Sequence, residues 1–442
     1  MPLVLDFIYA LLLLILSPWL LYQAASKGKY REGLAAKLLG SVPRREDSKP
    51  TCVWLHAVSV GEVNLLEPLL AELAVRRPDW QCVISTTTRT GYALAKTKYA
   101  RLPVFYCPLD FSWATRRAMH RIRPQLLVLT ELELWPNLIR AARRSGARVA
   151  VVNGRLSERS FRGYRRLGRF YRSLLAQLDC VCAQNEVYAD RFRRLGAIEE
   201  QVHVTGSIKY DGAATDRRNP RTTRLGKLAG FADDDVVFLA GSTQAPEEAL
   251  ALATFQTLAA EHPRLRLLLV PRHPERFAAV ARLLEHSRIR FQRRSRLQRD
   301  GADPQARVLL IDVMGELGDW WGAADVGFVG GSMGDRGGQN MVEPAAFGVA
   351  VCFGPNTRHF RDVVEALLRA DGAVVVHDGQ ELTAFVRQCL EQPETAARLG
   401  HRAQAHVRSQ LGAAARTAQQ LVHLIDRQPT GRNKTSPDRT AA

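Results

Sequence analysis

Residues 53–64 read VWLHAVSVGEVN: an unbroken apolar run, then small residues, then Gly-Glu, then the start of a helical pattern. An apolar run that does not alternate is a strand covered on both faces, and a helix directly after it makes a β-α unit of a parallel sheet. Glu62 stands on the turn, at the start of the helical stretch EVNLLEPLLAELAV. An acid in a first helical turn is favoured by the macrodipole by ~0.3–1 kcal/mol. The same field favours the charged carboxylate that a general base needs. Both roles stay open for Glu62 on these grounds.

The pattern repeats along the chain. Apolar runs ending in polar loops recur from TCVWLHAVS to QVHVTGSIKYD at 201–211, stop over 212–235, and resume from VVFLAGSTQ to AVVVHDG. Such alternation predicts an α/β protein with two Rossmann-like domains facing a cleft, and the apolar start of the chain adds an N-terminal membrane-anchor helix. The expected divisions are an anchor over 1–22, a basic connector over 23–50 and a first domain over 51–211. A linker over 212–235, a second domain over 236–427 with its terminal helix, and a disordered tail over 428–442 follow.

A chain of 442 residues fits two cores better than one. Its net charge of +18 asks for an anionic partner: nucleic acid, anionic lipid or a phosphorylated substrate. Seven cysteines without a C-x-x-C pair speak against a disulfide framework or a zinc site. The first 22 residues carry one charge, Asp6, and basic residues from Lys27 onward follow them. The positive-inside rule then places the body in the cytoplasm behind an uncleaved anchor, the rival being a cleaved signal peptide without a basic n-region.

Ligands of open α/β sheets bind beyond the carboxyl ends of the strands, where the polar motifs here fall. TELELWPNL puts Glu131 and Glu133 on alternate sides of an extended chain. STTTRTG at 85–91 offers hydroxyls for a sugar or phosphate, or simply for helix capping. In the second half, GST at 241–243 precedes a helix with Glu247 and Glu248, and backbone N–H groups there suit an anion. PRHP places Arg272 and His273 at a strand end, DVMGEL supplies a Gly turn, and the glycines of 330–348 permit close backbone approach to a ligand near Glu343. Neither a P-loop nor a dinucleotide fingerprint is present. The Asp233–Asp235 run precedes its strand and reads as a solvated turn, and no His/Cys cluster has ligand spacing. In residues 155–178, Phe161, Tyr164, Leu167, Tyr171, Leu174 and Leu178 recur at helical spacing as an apolar stripe. Arg162, Arg165, Arg166, Arg169 and Arg172 lie opposite and suit anionic headgroups.

Together, HAVSVGEV, STTTRTG, ELELWPNL, NGRLSERS, GSIKYD, GSTQAPEE, VPRHPERF, DVMGEL and the 330–348 stretch resemble the Kdo transferases of lipid A biosynthesis, from about residue 25 to 425. The resemblance implies a fold of the GT-B type and transfer of 3-deoxy-D-manno-octulosonic acid (Kdo) from CMP-Kdo to a tetraacylated lipid A precursor at the bacterial inner membrane. It implies Glu62 as the general base, with Glu131 and Lys209 supporting the transition state of an inverting displacement. It assigns CMP to Pro271, Arg272, Met314, Gly315, Glu316, Asn340, Met341, Val342 and Glu343. No cofactor, metal ligand or nucleic-acid partner is expected; an anionic membrane surface is. Gln244, Pro246, Gln339 and Ser207 depart from the family pattern, which has His, Gly, His and Asn there. The rival readings are another GT-B lipid glycosyltransferase, a nucleotide-sugar epimerase, or a tethered RNA- or lipid-binding protein.

Overall fold

The computed structural model describes residues 2–27, 32–46 and 51–426; parts of the expected connector and the whole expected tail lie outside them. The chain forms two units, residues 1–211 with 411–442, and residues 212–410.

Unit 1 is built on a seven-stranded sheet of order β3-β2-β1-β4-β5-β6-β7. Its strands are β1 (Cys52–His56), β2 (Gln81–Thr86), β3 (Val104–Tyr106), β4 (Leu126–Thr130), β5 (Arg148–Gly154), β6 (Cys180–Ala183) and β7 (Val202–Val204). All pairings are parallel. The apolar runs are buried on both faces as expected: Val53 and Leu55 pack into one core, Cys52 and Trp54 into the other.

Unit 2 repeats the plan in the order β10-β11-β9-β8-β12-β13-β14. Its strands are β8 (Val236–Thr243), β9 (Leu265–Pro271), β10 (Phe291–Arg293), β11 (Val308–Leu310), β12 (Val326–Val329), β13 (Ala350–Phe353) and β14 (Ala373–Val375), again parallel throughout.

The boundaries differ from expectation at two places. Residues 212–235 are not an open crossing. They carry the helix Pro220–Ala229, capped by the Asn219 side chain, and Arg217 bonds the Gly322 carbonyl and Asp325. The helix Ala413–Asp426 belongs to unit 1, not to the second domain. Ala418, Leu421 and Leu424 bury against Cys180, Cys182 and Val152. Asp211 accepts the Gly412 and Ala414 amides, and Thr417 bonds Thr205.

Three local readings are also corrected. The basic stretch is two helices, Glu158–Arg166 and Gly168–Leu175, broken where Gly168 follows Leu167. Leu167 is therefore exposed instead of joining the stripe, while Phe161, Leu174 and Leu178 are buried and Tyr164 stacks on Tyr171. Asp235 is not a solvated turn residue: it is buried and accepts from the Ala232 amide and the Arg266 guanidinium.

The third concerns the anchor. Residues Pro2–Lys27 form one helix that runs through Ser17 and Pro18. Among the described residues no helix is long and apolar enough to cross a membrane, so the single-pass anchor gains no structural support. The lone charge of the stretch explains part of the geometry. Asp6 is buried and accepts from the Ser112 amide and hydroxyl and from Asn137, while Tyr9 donates to Asp110. The start of the helix is thereby held on unit 1, and apolar residues such as Leu3, Phe7, Leu14 and Ile15 are left exposed.

Candidate active site

At the carboxyl edge of the unit 1 sheet, Ser59 caps the helix Val60–Arg76 by accepting the Glu62 amide. The Glu62 carboxylate turns back to accept the Val58 amide (2.9 Å) and the Ser59 hydroxyl (3.0 Å). This is a capping-box arrangement, with one residue's shift in the backbone donor. A third donor comes from outside the helix: the Thr130 hydroxyl, at the end of β4, lies 2.6 Å from Oε2. Oε2 thus has two donors and Oε1 one, so Oε1 retains an open lone pair for a further hydroxyl. The capping reading of Glu62 holds, and the cap leaves one carboxylate oxygen with acceptor capacity.

Glu131 and Glu133 do not alternate. The strand ends at Thr130, and Glu131 takes φ +51°, a left-handed conformation rare for a residue with a side chain. Strain of this kind is held in place by its surroundings and clusters at functional sites. Glu131 pairs with Lys209 at 3.2 Å. Glu133 accepts the Trp135 indole N–H at 2.9 Å. Burial pushes the Glu133 carboxyl up to about 7, and the negative charges of Glu62 and Glu131 push the same way. Both glutamates are therefore neighbours of the site, which turn geometry allows and strand alternation would not.

Sequence reasoning assigned no role to Asn153. It sits at the end of β5 with φ +53°, and its Oδ1 accepts the Ile208 amide at 3.0 Å. That bond places the short turn Ile208–Tyr210 and with it Lys209. His56, at the end of β1, is fully buried; desolvation holds it down at about 4, so it is neutral, with Nδ1 2.9 Å from the Ser85 hydroxyl. Asn153 lies inside the quoted motif NGRLSERS; a polar residue ending an apolar strand was the signal available.

In unit 2, the most consequential residue is again one without an expected role. Glu247 is buried and accepts four backbone amides: Gln244 (2.8 Å) and Gly331 (2.7 Å) on Oε2, Ser332 (2.9 Å) and Met333 (3.0 Å) on Oε1. The glycine-rich turn, expected to approach a ligand closely, gives three of its amides to an internal anion, and the Gln244 amide just after the GST turn joins them. Gly330 is required there: a Cβ would lie 2.7 Å from the Thr243 backbone and 2.8 Å from Glu247 Oε2. Gln244 and Gln339, the two positions where the family pattern has His, both come close to Gly331.

The nine residues assigned to CMP divide by what their side chains do. Glu316 is engaged bidentately by Arg294 (2.8 and 2.7 Å) and by Trp320, so its carboxylate pins its own loop. Met341 and Val342 are core residues, and the Val342 amide is taken by Asn340 Oδ1. Gly315 has φ +88° and Met314 is exposed beside it. Pro271 ends β9, and the Arg272 amide bonds the Thr243 carbonyl, leaving its side chain exposed. Glu343 accepts from Asn340 (2.9 Å); burial raises its carboxyl, and Asn340 and the nearby Arg272 charge oppose that. Arg272, Asn340 and Glu343 are thus the polar groups of the set with functionality left for a ligand.

Two Rossmann-like units with parallel seven-stranded sheets are the GT-B type of fold. A UDP-GlcNAc 2-epimerase from Neisseria meningitidis shares it, with a TM-score of 0.55 at 12% identity over 84% of this chain and 100% of that one. Sequence goes further. Residues 32–212 match the family model described as 3-deoxy-D-manno-octulosonic-acid transferase (kdotransferase). A 3-deoxy-D-manno-octulosonic acid transferase of Haemophilus influenzae is 33% identical over 401 residues, 89% of this chain and 93% of that protein. One from Bordetella pertussis is 33% identical over 428 residues, 94% and 98% of the two. The chain belongs to the Kdo transferase family and is a glycosyltransferase of lipopolysaccharide biosynthesis.

Two outcomes follow from this geometry. A carboxyl whose folded pKa is raised favours folding while protonated, and that contribution is lost as pH rises through about 7. Glu133→Gln fixes the neutral form, so it raises the melting temperature relative to wild type at pH 8 and leaves it nearly unchanged at pH 4, read by scanning calorimetry. Glu247→Gln replaces one acceptor oxygen by an NH2 facing backbone amides, and is expected to destabilise unit 2 by about 2–5 kcal/mol in denaturant titrations.

Proposed function

We propose that the chain transfers Kdo from CMP-Kdo to a sugar hydroxyl of a tetraacylated lipid A precursor, with Glu62 as the general base. The observation that carries this reading is the Glu62 carboxylate, fixed by donors from β4 and its own helix turn while Oε1 keeps an open lone pair. The acceptor hydroxyl gives its proton to Glu62 as its oxygen bonds the anomeric carbon of Kdo. The bond from that carbon to the CMP phosphate breaks, and its electron pair leaves with the phosphate. Attack and departure on opposite faces invert the centre without a covalent enzyme intermediate. Lys209, set by Asn153 and paired with Glu131, supplies a fixed cation beside two anionic reactants. Arg272, Asn340 and Glu343, with the backbone at Met314–Glu316, hold CMP, and the reaction proceeds without a metal ion.

The body lies on the cytoplasmic face of the inner membrane. With Asp6 held on unit 1 and residues from 32 onward also in unit 1, both ends of the Pro2–Lys27 helix stay on one side. The helix then lies in the interface with its exposed apolar side chains in the bilayer.

Kdo transfer is measured with CMP-Kdo and the lipid A precursor in detergent with EDTA. Wild type turns over, and Glu62→Gln, which keeps a cap acceptor, is slower by ~100-fold or more; product mass counts the sugars added. A variant as fast as wild type would leave Glu62 as a capping residue alone. For the helix, a cysteine added ahead of Met1 reacts with an impermeant maleimide on the cytoplasmic face of inverted inner-membrane vesicles, whereas a single-pass anchor would place it in the vesicle lumen and protect it.

A further inference from the structure

The helices Ser112–Ile122 and Pro136–Arg144 pack side by side in unit 1, and a cavity of about 200 Å³ lies between them. Arg116 and His120 line it from the first helix, Arg140 and Arg144 from the second, and Ser112 and Asn137 close one end. No carboxylate lines it. Asp110 is near enough to Arg140 for the two charges to interact, and the same guanidinium lies 6.0 Å from the Phe170 ring.

The charge arrangement calls for an anion. Arg140 and Arg144 are four residues apart on one helix face, as are Arg116 and His120 on the other. Like charges at that spacing, as at Arg140 and Arg144, destabilise a helix, and here that pair shares one space with Arg116 of the other helix. Basic residues in last turns favour the helix dipole, which accounts for Arg144 but not for Arg116 on the facing helix. The volume is below that of sites for drug-sized ligands, which suits a compact headgroup and not a sugar nucleotide.

The surroundings say where that anion comes from. Ser112 and Asn137, at the end of the cavity, are the two residues that hold Asp6 and so dock the apolar N-terminal helix. Trp113, next in sequence, is about half exposed, stacked on Phe111, with its indole N–H on the Leu38 carbonyl. A Trp with an apolar body and one polar tip is the side chain favoured at the edge of a bilayer. An apolar helix, an interfacial tryptophan and a cationic cavity thus share one part of the surface.

We propose that the cavity between these helices binds the phosphate of a bilayer phospholipid headgroup. Bidentate guanidinium–phosphate contacts from Arg116 and Arg144 would hold it. This rests on the reading that the helix lies on the bilayer, and not on the transfer reaction or its acceptor.

The test uses the full chain in a neutral detergent, titrated with dioleoylphosphatidylglycerol or dioleoylphosphatidylcholine, with bound lipid counted by native mass spectrometry. Wild type is expected to retain one phosphatidylglycerol in preference to phosphatidylcholine. Arg116→Ala/Arg144→Ala, two exposed substitutions that leave the core intact, weakens that binding by about 30-fold or more, since it removes two charge-assisted guanidinium–phosphate contacts. Arg165→Ala/Arg169→Ala, the same charge change on the neighbouring basic helices, leaves it unchanged. An equal loss in both double variants would mean diffuse attraction and no site, and overturns the proposal. So does a wild type without preference for the anionic lipid, or one that binds glycerol phosphate as tightly as the lipid. Labelling of the added N-terminal cysteine is read separately, so a failed helix assignment and a failed headgroup site give different results.

Discussion

Backbone amides at the ends of parallel strands have to find acceptors, and in this protein buried carboxylates provide them. Asp110 takes the Asn137 and Leu138 amides at the start of a helix, Glu62 takes Val58, and Glu247 takes four amides from two loops. An ionised carboxylate offers about four acceptor positions and no donor, so one side chain can fix several turns at once. The cost is desolvation of the charge, and amide donors offset it. Asp110 shows the balance: burial raises its carboxyl to about 6 even though two amides and Tyr9 pull it down.

The same constraint separates the glutamates of the unit 1 site. Glu62 is surrounded by donors, whereas Glu133 has one indole N–H and two negative neighbours. Burial, with those two neighbours pushing the same way, raises the Glu133 carboxyl to about 7. In unit 2 the constraint works differently. Because Glu247 fills the amide cradle of the glycine-rich turn, that turn is ordered without any bound ligand, so its ordering entropy is not charged to binding there.

The sheets were legible because their strands are buried on both faces, so runs such as CVWLH and LLVLT carry no alternation to confuse with an amphipathic helix. Glu62 was legible because a turn between strand and helix is short and its position is set by sequence. Less was legible where distant residues decide. Nothing local to Glu247 reveals that residues 331–333 supply its donors, and nothing local to Asn153 points to Ile208. Glu131 misled because strand geometry was extended one residue past its end, where φ turns positive. Asp6 read as a blemish in an apolar segment because its partners lie more than a hundred residues away.

The return of the helix Ala413–Asp426 to unit 1 makes unit 2 an insertion in the chain. On a ribosome working from the N-terminus, every residue of unit 2 is made before the helix that covers Cys180 and Cys182 in unit 1 exists. Domains encoded first generally fold first; here the one begun first is finished last. The order of synthesis therefore lets unit 2 mature alone, while the unit bearing Glu62 and the apolar N-terminal helix waits for the helix Ala413–Asp426.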